Sequence, residues 1–273
     1  MTQATRMLAA LMVAVSAIPA APAAETSRDQ VAGIVTQIRR ADYENDRPLL
    51  RQLYEKLTPF AGDKEIGSRV RYWRGFALWR KAQNAMNTMN ESTDAKEIEQ
   101  DLTRALEEFK AASAADAAFF DAKAGAISCV GNTMYLNRAD QARLQELVAQ
   151  VRPMIQEVKA AAPENPRLIW VLGPNVWNTP PERGGGQDKA IESYLGALEL
   201  WRKQKDVVKD PLEPAWGEPE LYMSLAWSYL NRATPDLAAA EKYARMALEL
   251  VPYWHYTRDI LLPQINEAKA KHN

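Results

Sequence analysis

Along the chain the apolar positions lack the alternating Val/Ile/Thr runs that mark strands. Alanine is frequent, and glycine and proline gather between segments. The pattern predicts an all-α protein with helices over residues 29–42, 47–57, 65–87, 95–115, 120–135, 139–162, 166–177, 187–204, 219–231, 235–250 and 254–271. The breaks are short, so the expected architecture is a stack of antiparallel helix hairpins in a single domain, residues 24–273. Residues 1–23 stand apart: Arg6, an apolar run from Met7 to Ile18 with Ser16 as its one polar residue, then Pro19 and Ala21-Pro22-Ala23. This is the pattern of a secretory signal peptide, with cleavage expected after Ala23. The run is shorter than the roughly 20 residues a bilayer span needs, and no later stretch is apolar enough. A periplasmic mature chain without a transmembrane span is the expectation.

Within the predicted helices one spacing recurs. Ala190-x3-Tyr194-x2-Ala197 places an aromatic between small residues, and Ala105-x3-Phe109-x2-Ala112 repeats it. Ala240-x3-Ala244-x2-Ala247 carries alanine in the aromatic slot, with Pro252 following. Small residues on one face let the paired helix approach closely, and the aromatic fills the gap towards the next hairpin. Leu172-Gly173-x2-Val176, Leu225-Ala226-x2-Tyr229 and Trp73-x2-Phe76-Ala77 carry the matching first-helix pattern. On these residues the chain resembles the tetratricopeptide-repeat (TPR) family across most of residues 66–252. The resemblance implies about five hairpins stacked as a TPR-like α-solenoid, with 29–60 an N-terminal capping hairpin and 254–271 a C-terminal capping helix. The interval from Ala77 to Ala105 is longer than the family's, and residues 118–163 fit the motif poorly. A regular superhelix and a hairpin stack closed into a compact bundle are therefore both compatible with the pattern. The Thr179-Pro180 and Gly184-Gly185-Gly186 turn, with the loop around Pro214-Ala215-Trp216-Gly217, is similar to that of a subgroup of exported bacterial TPR proteins. Export and architecture give a looser similarity to the helical partner component of periplasmic TRAP-type solute transporters.

Composition narrows function by exclusion. With 34 Lys+Arg against 35 Asp+Glu the net charge is -1, leaving no basic excess to draw the chain onto phosphate backbones, so no nucleic-acid partner is expected. One Cys and two His supply neither a Cys/His metal site nor an internal disulfide, and no metal or cofactor is expected. Cys129 sits among small and apolar neighbours and reads as buried. His255 lies among aromatics without the partners of a triad. Acidic residues are spread over helix faces beside basic ones, as with Glu107 and Glu108 near Arg104 and Lys110. No enzymatic activity is expected.

Counting along the first helices from Leu172 and Leu225 sets Arg167, Trp170, Trp177 and Asn178, then Glu220, Met223, Trp227 and Asn231, on the concave side of the stack. Aromatic and methionine side chains there would offer adaptable apolar area to a peptide or a lipid-like ligand. The competing reading is that the tryptophans fill wide gaps between irregular hairpins. Asn178 and Asn231 hold the same repeat position, with Asn132 a candidate third. They read either as amides that bond an extended ligand or as helix C-terminal caps. Arg183-Gly184-Gly185-Gly186 offers backbone N–H groups to an anion, but P-loop spacing is missing and a structural turn is the better reading. Three prolines in 209–219 exclude helix around Trp216.

These readings converge on a non-catalytic periplasmic protein–protein adaptor with a concave aromatic groove. The alternative is a component of a transport system that encloses a small hydrophobic or organic-acid ligand. What separates them is whether the aromatics line an open face or a closed pocket, which periodicity does not encode.

Overall fold

The computed structural model describes residues 26–90, 93–204 and 210–272, so the expected signal peptide and its cleavage site lie outside the described residues. Within them the chain is all-α, with no strand: α1 (Ser27–Tyr43), α2 (Arg47–Lys56), α3 (Gly67–Asn87), α4 (Ala95–Ala115), α5 (Phe120–Leu136), α6 (Gln141–Ala161), α7 (Pro166–Asn178), α8 (Gln187–Gln204), α9 (Glu218–Asn231), α10 (Leu237–Leu250) and α11 (Leu262–His272). The starts are set by capping side chains: Asp46, Asp94, Asp140, Asn165 and Asp236 each accept an N–H from the first turn that follows. Only the last predicted helix differs in kind, because a π-helical turn (Tyr256–Leu261) precedes α11.

Sequential helices pair, α3 with α4, α4 with α5, α7 with α8 and α9 with α10, which leaves α3, α5, α7 and α9 as an inner row. The recurring spacing has a direct packing basis. Phe109 of α4 presses its ring between Gly75 of α3 and Gly125 of α5, where a Cβ on Gly125 would stand 2.6 Å from the ring. Tyr194 of α8 fits against Gly173 of α7 in the same manner. Where Ala244 replaces the aromatic, Leu261 and Ile265 of the C-terminal segment pack with Ala226, Ala240 and Ala244 instead.

These contacts also fix the register of the inner row. Gly75 and Gly125 share Phe109, Trp79 meets Trp170 with ring centroids 6.1 Å apart, and Trp170 Nε1 donates to Ser224 Oγ at 2.9 Å. From those anchors, Asn87 lies eight residues past Trp79, Asn178 eight past Trp170 and Asn231 seven past Ser224. Leu136 lies eleven past Gly125 where Asn87 lies twelve past Gly75. At about 1.5 Å per residue the four inner helices therefore run out level with one another.

The stack is closed on itself. Tyr43 at the end of α1 meets Trp254 with centroids 5.1 Å apart and donates its hydroxyl to Glu220 Oε1 of α9 at 2.8 Å. Arg40 lies over the Tyr253 ring at 5.1 Å, and one core cluster runs from Val31 to Trp254. The interior is filled by the non-helical segment 210–217, whose Leu212 and Trp216 are fully buried. The Trp216 indole packs against Phe76, Trp79 and Trp170 at centroid distances of 5.8, 5.6 and 5.5 Å. Gly217, at φ +138°, turns the chain from this segment into α9, beside the Trp201 ring.

Gly125→Ala is expected to destabilise the fold by about 1–3 kcal/mol through overpacking against Phe109. Gly131→Ala, on the same helix but with open space at its Cβ, should instead be neutral or gain up to about 1 kcal/mol of helix propensity. Chemical denaturation of both variants checks the pair.

Candidate functional site

The side chains expected on the concave face divide into two groups. Arg167, Trp170 and Glu220 lie inside the bundle, beneath segment 210–217. Arg167 donates from Nε to the Trp216 carbonyl at 2.9 Å and from Nη2 to the Pro214 carbonyl, pairs with Asp121 at 3.2 Å, and lies over the Trp201 ring. Trp170 is 8% exposed, its indole N–H shared between Ser224 Oγ and the Glu220 carbonyl. Glu220 accepts from the Tyr43 hydroxyl and from the Gly217 N–H. The polar atoms of these three side chains thus already have protein partners, because a neighbouring loop folds over the face that helical counting assigns to them.

That loop is held the way a groove holds a peptide. The carbonyls of Leu212, Pro214 and Trp216 each accept from a side chain of the inner row: Trp73 Nε1 for the first, at 2.7 Å, and Arg167 for the other two. Trp216 donates its own indole N–H to the Tyr72 hydroxyl at 2.7 Å. At the segment's outer edge Asp210 pairs with Arg28, and Glu213 with Arg69 at 2.7 Å.

The second group reaches the surface where α7 and α9 end. Trp177 and Trp227 meet edge to face, centroids 5.1 Å apart at 63°, and Trp227 is 37% exposed. Met223 is half-buried and packs against the core. Asn178 and Asn231 each donate Nδ2 to the carbonyl four residues earlier, Pro174 and Trp227, at 2.8 Å in both cases. Each thereby supplies a donor to a carbonyl near a helix C-terminus. The same bond recurs at the end of α5, from Asn137 to the Thr133 carbonyl at 2.9 Å. The third member of the set is therefore Asn137; Asn132, one turn earlier, keeps a buried Nδ2 without a partner.

Two further residues on this end were not singled out by the sequence: Tyr135, 54% exposed at the end of α5, and Met89, 41% exposed just past α3. A readable signal was there. Residues 82–90, 124–137, 168–181 and 221–231 contain no charged residue at all, in a chain where 25% of residues are charged. These runs take in the last turns of α3 and nearly the whole of α5, α7 and α9, much of it buried, and they extend to the level end of the row. The glycine run beside it is a turn: the N–H groups of Arg183, Gly184, Gly185 and Gly186 all bond backbone carbonyls, and Gly184 and Gly186 adopt positive φ.

Two hollows lie away from this end. One, of about 550 Å³ between α8 and α10, is lined by Leu195, Leu198, Tyr243, Met246, Arg202 and Lys242. The other, of about 510 Å³, is ringed by the ion-paired Arg28, Arg69, Asp116, Asp210 and Glu213. Among the described residues no helix is long and apolar enough to cross a membrane. Cys129 is buried, and burial pushes its thiol pKa well up, which keeps it in the unreactive protonated form. No protein-family model matches the chain, and no curated protein matches it.

The closing seam carries buried charge. Arg80 Nε donates to Asp42 Oδ2 at 2.8 Å, Asn84 Nδ2 donates to the Asp42 carbonyl at 2.9 Å, and Glu220 lies near enough to act on Asp42 electrostatically. Burial holds the Asp42 carboxyl above its ordinary range, against the opposing pull of Arg80. Because the folded value is raised, stability from this group is complete below the unfolded value of about 4 and is lost as pH rises through the folded one. Urea titrations between about pH 4 and 7 should show that Asp42→Asn removes part of this fall. An identical slope in the variant would mean that Asp42 is already ionised across the range.

Trp170→Ala and Trp227→Ala separate the two groups. Loss of Trp170 is expected to destabilise by about 3–5 kcal/mol. Loss of the part-exposed Trp227 should lower stability by about 1 kcal/mol or less. Equal losses in thermal or chemical denaturation would contradict the division.

Proposed function

We propose that the protein is a non-catalytic, exported, TPR-like adaptor that holds a polypeptide partner against its inner row of helices. The observation that carries this reading is segment 210–217. Its backbone is bound by Trp73 and Arg167 through its carbonyls, with Leu212 and Trp216 as anchors, so the inner wall is already a surface made to hold non-helical polypeptide. The same segment fills the interior, which leaves no enclosed space there for a small solute and puts a partner's contacts on the faces outside it. The family reading is supported by the seating of Phe109 against Gly75 and Gly125 and of Tyr194 against Gly173, glycines of the helices packed beside them. Export is supported by the apolar N-terminal run and its small-residue end.

The test is a native mass spectrum of the protein purified gently from its own cells. A second polypeptide accompanying the chain is the outcome expected. An added mass of a few hundred daltons would instead favour the transport reading, with the 550 Å³ cleft between α8 and α10 as the seat to examine.

A further inference from the structure

We propose that the inner wall takes segment 210–217 from a second copy of this chain as well as from its own, so that two copies exchange residues 210–272 and close into a dimer. This goes beyond the adaptor reading and does not depend on it. The described chain falls into two parts, 26–204 and 210–272, each with packing of its own. In the first, Phe109 of α4 is seated between α3 and α5; in the second, Ala226, Ala240, Ala244, Leu261 and Ile265 form a separate small core. The bonds that seat the segment cross from one part to the other. Trp73 and Arg167 donate to the carbonyls of Leu212, Pro214 and Trp216, and the Trp216 indole donates to the Tyr72 hydroxyl. Arg28 and Arg69 pair with Asp210 and Glu213, and Tyr43 donates to Glu220 just beyond the segment.

This joint has the make-up of a protein–protein interface. Trp, Tyr and Arg, the residues that anchor interfaces, supply the wall; Leu212 and Trp216 are the buried anchors, and the ion pairs stand at a part-exposed rim. The occupant is fixed by the fit. One guanidinium takes two carbonyls, the Trp73 indole takes a third, the Tyr72 hydroxyl takes an indole N–H, and two arginines meet two carboxylates. A second copy brings all of these groups at the same spacing. Exchange therefore keeps each bond and changes only which chain supplies it. Two walls and two segments satisfy each other completely, so the exchange closes at two copies, and its extent is set by chain concentration.

Charge reversal across the joint tests this. Arg69→Glu and Glu213→Arg each set like charges together within one chain, whereas in a mixed, exchanged dimer both 69–213 pairs are opposite again. The two variants, one of them isotopically labelled, are unfolded in urea, mixed, refolded at high chain concentration and weighed by native mass spectrometry. The mixed dimer should exceed either variant's own dimer at least about tenfold. A second readout uses wild-type chains, labelled and unlabelled. Mixed dimers should form when the two are refolded together and not when folded samples are simply combined, because exchange has to undo the seating of the buried Trp216. The proposal is overturned if the refolded chains are all monomers, if the mixed dimer of the two variants is no more abundant than random pairing gives, or if folded wild-type chains dimerise on mixing as readily as refolded ones. In the spectrum of the protein from its own cells, a companion of the chain's own mass belongs to this exchange and one of any other mass to the adaptor reading, so either can fail alone.

Discussion

A stretch of backbone without helix or sheet can enter a dry core only if its polar groups find partners there, and segment 210–217 is where this protein meets that demand. Pro211 and Pro214 bring no N–H to satisfy, and the carbonyls of Leu212, Pro214 and Trp216 are each taken by an indole or a guanidinium. Arg167 is the hinge of the arrangement. Removing it would leave two buried carbonyls without a partner and the Asp121 carboxylate with only the Asn165 amide, a larger penalty than the loss of the bonds themselves. Around the segment the aromatic rings of Tyr72, Trp73, Phe76, Trp79, Trp170 and Trp216 pack edge to face, an arrangement that needs the segment in place to be complete.

The filled interior accounts for the overall shape. Stacked hairpins left to themselves curve and present a concave wall, but here α1 meets α9 and the 253–254 turn, and the wall is lined with the chain's own residues. What stays open is the end where α3, α5, α7 and α9 run out together. The asparagines at three of those ends close the helices with their amide nitrogens, which keeps the end tidy without adding charge to it.

How far the sequence could be read follows from what periodicity encodes. Helix positions were legible almost to the residue because caps such as Asp94 and Asn165 and the glycine and proline breaks mark them locally. The Phe109 and Tyr194 slots were legible because spacing alone puts a ring opposite a gap. The covering of Arg167 and Trp170 was not: helical counting states which face a side chain occupies, not whether an aperiodic loop some fifty residues later will fold over that face. Tyr135 and Asn137 escaped because residues 118–163 fit the repeat poorly and gave no register from which to count. The charge-free runs, visible in the sequence, would have found them.

The bond from Trp73 to the Leu212 carbonyl joins residues 139 apart, and that from Tyr43 to Glu220 joins residues 177 apart. Contacts of such span close late, since the intervening chain must be gathered first. During synthesis the aromatic face of α3 therefore waits, uncovered, until the last quarter of the chain has been made. A nascent or shortened chain of this protein is thus its most adhesive form, and completion of the C-terminal hairpin is the step that ends its exposure to misassociation.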